Sequence, residues 1–460
     1  MKPVNEPLLN VINDQKIDPT SRLEALKVWE SRRQEKAVIA TAEINNHIHT
    51  IYSFSPYTPS MAALKARDSG LCAAGSVDHD SIAAAEEMIA ACAVLGIGGC
   101  AGFEVRVNFK KNTLSPDGPF SQRKINNPDS KGNIYMTVQG IPRQNISKAA
   151  EFLVPIREQR LKRTLSMCAE ASLLLRGAGL DAIGFERDIL AASKYAEGGE
   201  ITERHLLAAI AAKLIHRYGK GPEIVKGTEK SLGINITPKI AALLADNENP
   251  HYLYDLLGVL KSEFLPRIYI QPNENECIPA GEVCAFADSV GAIPAYAYLG
   301  DVGESPTGDK KAEKFEDDYI EELFSELSSL GFRAVTYMPP RNKAEQLGRV
   351  QRLCGQWGFM EISGVDINSS RQLFNCPEVL LPEFSHLLDT TWALIAHERL
   401  ASVDARFGLF SPENPLAGET LNRRISIYAA IGKKFDLFNP DESAVVIAEE
   451  LLNNQENLYE

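Results

Sequence analysis

Short apolar runs alternate with helical patterns in two separate parts of the chain. Seven such runs predict β-strands, at residues 42–49, 71–77, 98–103, 135–140, 292–298, 332–337 and 359–363. Most are followed by a segment whose apolar residues recur at helical spacing. This alternation is typical of an α/β fold with a parallel sheet.

The periodicity becomes purely helical between the two α/β parts. We therefore divide the chain into an N-terminal helix and tail, a first α/β part, a helical insertion, a second α/β part and a helical C-terminal region, with bounds 1–40, 41–146, 147–275, 276–376 and 377–460. His205 and His216 lie in the insertion and are interpreted as ordinary helix residues. His397 is expected on a helix surface.

Polar side chains cluster where the first three predicted strands end. They are His47, His49, Asp78, His79, Asp80 and Glu104. Residues two apart on a strand point to the same face, so the two imidazoles of His47-Ile48-His49 would aim at one point. Such a pair suits a metal with nitrogen and oxygen ligands. In parallel sheets, functional residues lie at the carboxyl ends of strands.

Charge and composition exclude several classes of partner. The 460 residues are 44% hydrophobic and carry a net charge of −13, which disfavours binding to nucleic-acid backbones. No stretch approaches the ~20 apolar residues of a membrane span, and no signal-like N-terminus is present. Eight scattered cysteines without a Cys-x-x-Cys motif indicate reduced thiols and a cytoplasmic location. We expect a small anionic substrate; the sequence indicates no oligomeric state.

Four motifs in a fixed order carry a resemblance to a known family. They are His47-Ile48-His49-Thr50, Val77-Asp78-His79-Asp80, Gly102-Phe103-Glu104 and Gly364-Val365-Asp366-Ile367-Asn368. In this order the chain resembles the PHP (polymerase and histidinol phosphatase) superfamily, and within it a long, divergent branch. The resemblance covers roughly residues 40–110 and 285–375.

The resemblance implies a fold and a metal centre. The family fold is a distorted barrel of about seven β/α units, here with a helical insertion, and it holds up to three divalent metals at the strand carboxyl ends. By position, His47, His49, Glu104 and Asp366 would form the first metal site. Glu104 would also bridge to a second ion, and His79 would belong to a third. One to three ions of zinc, manganese or iron are expected.

The chain departs from the family pattern at several positions. Phe54 stands where an Asp or His is usual, Tyr298 where a His is usual, and Asn368 where the last motif ends in His. The predicted strand 135–140 lacks a further histidine. The second and third metal sites are therefore expected to be degenerate. Tyr298, Asp301 or Asn368 could substitute, although phenols and amides are poorer ligands for zinc-like ions.

Two arginines that follow strand ends are candidates for substrate binding. Planar guanidinium groups match phosphate oxygens two at a time, and Arg341 and Arg371 have the expected position, with Arg106 as a third candidate. Asn368 is assigned to substrate binding with them. Asp78 and Asp80 would orient His79 from behind. For Asp80, an equal alternative is capping of the helix that starts near Ser81.

The sequence thus predicts a metal-dependent phosphoesterase that hydrolyses a small phosphorylated metabolite or nucleotide. A metal-activated water would attack the phosphorus, and no other catalytic group is predicted. The main alternative is a degenerate PHP-like module that binds a metal or an anionic ligand without turnover. A metal-dependent hydrolase of C–N or C–O bonds ranks lower, and a nuclease ranks last.

Overall fold

A computed structural model describes residues 6–33, 41–109, 120–302 and 313–453. Of the N-terminal helix and tail predicted for residues 1–40, residues 1–5 and 34–40 lie outside the described residues. The strands are β1 (Ile44–Ile48), β2 (Ala73–His79), β3 (Gly98–Asn108), β4 (Asn133–Gln139), β5 (Ile293–Ala297), β6 (Ala334–Tyr337) and β7 (Met360–Ser363).

The seven strands form one sheet whose spatial order follows the chain order. A parallel bridge joins Ile48, at the end of β1, to Ile367 beyond β7, so the sheet nearly closes into a barrel. The predicted α/β class is confirmed. The expectation of a wholly parallel sheet is wrong at β4, which runs antiparallel to both β3 and β5. Between β3 and β4 the described residues contain no helix, and a parallel crossover there would need one.

The described residues form fifteen α-helices. Their bounds are α1 (Glu6–Ile12), α2 (Pro19–Ser31), α3 (Pro59–Asp68), α4 (Ala85–Leu95), α5 (Ile146–Gly177), α6 (Glu203–Tyr218), α7 (Pro222–Leu232), α8 (Pro238–Ala245), α9 (Tyr252–Val259), α10 (Ala280–Ser289), α11 (Ile320–Leu330), α12 (Ala344–Trp357), α13 (His386–Val403), α14 (Leu421–Gly432) and α15 (Pro440–Asn453). Helices α5 to α9 lie between β4 and β5, where the sequence predicts the helical insertion. None of the helices in the described ranges combines the length and the hydropathy that a membrane crossing requires.

Two clusters of buried apolar side chains stabilise the sheet and the inserted helices. Every residue of β3 is buried, which fits a strand covered on both faces. The main core packs the sheet against the later helices, including α10 to α13. Helices α5 to α9 bury a separate apolar cluster of their own. The inserted helices therefore have an apolar core of their own, and the first part of α5 also packs into the main core through Ala149, Leu153 and Ile156.

Helix α13 packs its polar side chains inward. His397 is only 1% exposed, and its Nε2 lies 3.0 Å from the carbonyl oxygen of Gly140 while Nδ1 accepts from the Leu409 amide at 2.8 Å. The surface position expected for His397 is therefore wrong, because both ring nitrogens are needed to satisfy buried backbone groups. Its neighbour Glu398 is 2% exposed and accepts a 2.9 Å hydrogen bond from the Ala101 amide on β3.

Burial raises the pKa of Glu398 to about 7, although Arg399 and the Ala101 amide act in the opposite direction. The folded protein therefore retains a proton that the unfolded chain releases, and stability falls as pH rises from about 4.5 to about 7. Between pH 5 and pH 7.5, Glu398→Gln should remove about 2 kcal/mol of this pH dependence. Denaturant unfolding at pH 5 and pH 7.5 measures it. The exposed Glu413→Gln serves as the control, and parallel pH profiles for Glu398→Gln and wild type would contradict the assignment.

Candidate metal centre

Three buried side chains form the centre of the site: His47 and His49 at the carboxyl end of β1, and Glu104 inside β3, in register with His79 at the end of β2. The expectation that Glu104 follows the end of its strand is wrong, because β3 continues to Asn108. Ligand atoms of His47, His49 and Glu104 all lie within 4.8 Å of one another. His47 Nε2 is 3.7 Å from Glu104 Oε1, and His49 Nε2 is 4.0 Å from Glu104 Oε2. Ligands around a tetrahedral metal lie about 3.4 Å apart. The cluster could hold a metal ion after only small adjustments.

Closure of the sheet brings Asp366 to this cluster. The His49 amide donates to the Ile367 carbonyl at 2.9 Å, and the Ile367 amide donates to the His47 carbonyl at 3.1 Å. Asp366 Oδ1 consequently lies 3.4 Å from His49 Nε2, although more than three hundred residues separate them in sequence. Asn368 Nδ2 donates to Asp366 Oδ1 at 2.6 Å, so the Asn368 amide orients this carboxylate.

Two ring nitrogens at the site are buried without a hydrogen-bond partner among the described residues. They are His49 Nε2 and His79 Nδ1. His79 Nδ1 lies 2.8 Å from Glu104 Oε2, but the contact lacks the geometry of a hydrogen bond. Leaving such groups unsatisfied costs about 1–3 kcal/mol each. Nitrogen and oxygen lone pairs that face each other in this way fit a cation between them.

The electrostatics of the site favour neutral imidazoles beside carboxylates. Burial lowers the pKa of both His49 and His79 to about 3, so both rings are neutral at pH 7, as metal ligands must be. Burial also raises the pKa of Glu104. For Asp366, burial acts in the same direction, but the imidazoles and the Arg204 guanidinium outweigh it and the pKa is lowered.

Asp78 lies behind His49. It accepts hydrogen bonds from the Thr50 amide and hydroxyl, both at 2.6 Å, and from Ser53 Oγ at 2.5 Å. Ser53 Oγ in turn lies 3.3 Å from His49 Nδ1. Because the Ser53 hydroxyl gives its proton to Asp78, it accepts from Nδ1–H, which leaves the Nε2 lone pair facing Glu104 and Asp366. Asp78 was expected to orient His79; its hydrogen bonds run towards His49.

Asp80 pairs with an arginine of the inserted helices. Its carboxylate lies 2.5 Å from Arg160 Nη1, and both side chains are buried. Asp80 has a φ of +48°, a conformation that is uncommon outside glycine. Helix α4 begins at Ala85, so Asp80 lies too many residues before its first turn to cap it. Asp80 therefore ties the end of β2 to α5.

The structure separates the three candidate arginines. Arg341 is half-buried, donates from Nε to the Leu299 carbonyl at 3.1 Å, and forms no ion pair with a carboxylate in the described ranges. Arg371 instead binds both carboxylate oxygens of Asp255 on α9, with Nη2 at 2.6 Å. Arg106 is buried and lies 2.6 Å from Glu276. Only Arg341 keeps a guanidinium available to a substrate.

The possible substitute ligands are engaged elsewhere. Tyr298 donates to Asp317 at 2.6 Å, and Asp301 accepts from the Phe315 amide at 2.6 Å. Phe54, with a φ of +75°, packs edge-on against His205 at a centroid distance of 4.9 Å and so contacts the inserted helices. Neither Tyr298 nor Asp301 adds a ligand to the cluster around His49.

Arg204, near the start of α6, reaches the site and was missed by sequence reasoning. Its Nη1 donates to the Asn368 carbonyl at 3.1 Å, two residues from Asp366. No sequence signal could have identified it, because helical periodicity assigns a face but does not show which part of the barrel that face meets.

Comparison with known proteins gives two remote structural likenesses. No family model matches the chain, and no curated protein matches it. A putative metal-dependent phosphoesterase from Bifidobacterium adolescentis aligns at 17% identity and a TM-score of 0.46, over 73% of this chain and 91% of the other. An amidohydrolase from Chromobacterium violaceum, solved with sulfate and no metal, aligns at 17% identity and a TM-score of 0.45, over 75% and 95%. At these values the likenesses carry no information on substrate or reaction.

Ser53→Ala should weaken metal binding by about 10–100-fold, because His49 then loses the acceptor that fixes its tautomer. Calorimetric titration of metal-free protein with Zn²⁺ or Mn²⁺ measures this. Ser55→Ala is a matched control in the same loop, since the buried Ser55 hydroxyl has no hydrogen-bond partner in the described ranges. Equal affinities for the two variants would refute the role of Ser53.

Gly364→Ala should disturb the closure of the barrel. An added Cβ would lie 2.5 Å from the His47 amide nitrogen and 2.6 Å from its Cβ. We expect a loss of about 1–3 kcal/mol in the free energy of unfolding, together with less metal per chain. Gly355→Ala on α12 meets no atom within 4 Å and should cost nothing. Undiminished metal content in Gly364→Ala would show that closure does not position His47.

Proposed function

We propose that this protein is a metal-dependent phosphoesterase acting on a small phosphorylated metabolite or nucleotide. His47, His49, Glu104 and Asp366 would hold one divalent ion, and His79 would contribute to a further one. The observation that carries the proposal concerns His49 Nε2, which is buried without a hydrogen-bond partner among the residues that the structure describes. It lies 3.4 Å from Asp366 and 4.0 Å from Glu104.

The donor set indicates which ions are compatible. Two imidazoles and two carboxylates suit zinc, manganese or iron, and offer no thiolate that would select a softer metal. One ion has four candidate ligands, whereas a further ion would find only His79 and a shared Glu104. Tyr298 and Asp301, which could have replaced missing ligands, are hydrogen-bonded away from the cluster. We therefore expect one tightly bound ion and weaker occupancy beyond it.

We assign the following roles in metal and substrate binding to residues of the chain. A divalent metal held by these four residues would supply polarisation of a phosphoryl oxygen and activation of water near neutral pH. Arg341 would bind the phosphate, since its guanidinium lies at the strand carboxyl ends without an ion-pair partner in the described ranges. The Asp78–Ser53 pair would hold His49 in the ligating tautomer. Asn368 would keep the Asp366 carboxylate aimed at the ion rather than bind the substrate.

His49→Ala should abolish both tight metal binding and metal-dependent phosphatase activity, because it removes the most buried ligand. Elemental analysis and release of phosphate from a panel of phosphate esters measure the two effects. His216→Ala, on the exposed face of α6, is the matched control. Chelation of wild type should reproduce the loss, and added Zn²⁺ or Mn²⁺ should reverse it.

Three results would decide against this function. Activity that persists in metal-free protein would exclude the metal mechanism. Metal bound without turnover of any phosphate ester would favour a binding module of degenerate PHP type. Metal-dependent cleavage of amide or carboxylic ester bonds instead would favour a hydrolase of C–N or C–O bonds.

A further inference from the structure

We propose that Arg204 of the inserted helices and Arg341 of the barrel together form a phosphate-binding pair, and that the site is built for phosphate monoesters rather than diesters. The inference rests on the proposed function and deepens it by naming the substrate class. It also gives the inserted helices a direct role in substrate binding.

Arg204 lies beside the candidate ligands with most of its hydrogen-bonding capacity unused. Its one hydrogen bond among the described residues goes from Nη1 to the Asn368 carbonyl at 3.1 Å. A guanidinium has five N–H donors, and no carboxylate in the described ranges lies within ion-pair distance of this one. The side chain is half-buried, so solvent does not fully screen its charge. An anionic ligand is the natural partner for such a group.

A buried ionic cluster fixes the place of Arg204. The preceding residue, Glu203, lies 2.9 Å from Arg160 and 2.7 Å from Arg163. The side chains of all three residues are at most 15% exposed. Arg160 also pairs with Asp80 at the end of β2. Successive helix residues point about 100° apart. With Glu203 held inward by the two arginines, Arg204 points in a different direction, and its guanidinium reaches the Asn368 carbonyl beside Asp366.

The start of α6 is held independently of this cluster. The Thr202 amide donates to Nδ1 of His205 at 3.0 Å, which satisfies a backbone group at the first turn. His205 in turn packs against Phe54 in the loop after β1. The backbone that carries Arg204 is thus attached both to β2 and to the loop that follows His49.

Arg341 approaches the same carboxylate from a different element. It follows β6 and is anchored by the Leu299 carbonyl beyond β5. Burial lowers the pKa of Arg341, and the carboxylates of Glu316, Asp366 and Glu313 act against it, so Asp366 is one of the carboxylates near this guanidinium. The Arg204 guanidinium in turn helps to lower the pKa of Asp366. Two guanidinium groups without carboxylate partners in the described ranges therefore stand near one ligand. Both could bind the same phosphate.

The charges favour a dianion. A divalent ion is balanced by the Glu104 and Asp366 carboxylates, and imidazole ligands are neutral. Arg204 and Arg341 then add two positive charges beside the ion, and the Glu316 and Glu313 carboxylates that also act on Arg341 lie beyond ion-pair distance of it. A phosphate monoester has a second pKa near 6 and carries close to two negative charges at pH 7.5, whereas a diester carries one. A monoester therefore matches the charge of the two guanidinium groups more closely than a diester does.

The test compares wild type with Arg204→Ala, Arg204→Lys and Arg217→Ala. Arg217 is exposed at the far end of α6, about 20 Å along the helix from Arg204, and is the matched control. For each protein, we would measure bound metal, the Kd of inorganic phosphate, and kcat and KM for p-nitrophenyl phosphate and bis(p-nitrophenyl) phosphate. Bound metal should be the same in all four proteins.

Arg204→Ala should raise the Kd of phosphate and the KM of the monoester at least tenfold, with a smaller effect on the diester, and Arg204→Lys should recover part of the loss. Unchanged phosphate affinity in Arg204→Ala, or a wild-type preference for the diester, would overturn the inference while leaving the metal mechanism intact. A wild type that binds phosphate but hydrolyses neither ester would refute the proposed function, and the phosphate Kd would still decide the role of Arg204.

Discussion

The structure depends on the contact that closes the sheet between β1 and the segment after β7. Two backbone hydrogen bonds, between Ile367 and the backbone of His47 and His49, hold these parts of the chain together. Buried asparagines reinforce them, since Asn45 donates to the Val365 carbonyl and Asn46 to the Ser363 carbonyl, both at 3.0 Å. Gly364 allows the close approach because a side chain there would meet His47. Without this contact Asp366 would not face the two imidazoles.

Salt bridges join the inserted helices to the barrel beside the same site. Asp80 pairs with Arg160, and Arg371 binds Asp255 through two nitrogens, so salt bridges reach the insertion from the ends of both β2 and β7. Buried ion pairs add little net stability over apolar packing, but removing one partner costs stability because it leaves the other charge buried without compensation. Such contacts fix the orientation of the inserted helices, and this orientation places Arg204 beside the candidate metal ligands.

The strands and the leading histidines could be predicted because their signals are local. Apolar runs of strand length and the alternation of His47 and His49 need no knowledge of the rest of the fold. The direction of β4 could not be predicted, because the same apolar run suits either direction. The partners of Asp78 were missed for a related reason. Its position beside His79 in sequence says nothing about the Ser53 hydroxyl, which the loop after β1 places within hydrogen-bond distance of it.

The arginines show the same limit at longer range. Arg341 and Arg371 both follow strand ends, and nothing in their local sequence reveals that Asp255 neutralises only the second. The central claim remains that one cation lies among His47, His49, Glu104 and Asp366. An anomalous difference map from crystals grown with Mn²⁺ or Zn²⁺ tests it most directly. We expect a strong peak within bonding distance of all four side chains; a peak elsewhere, or none there at full soaking, would contradict the claim.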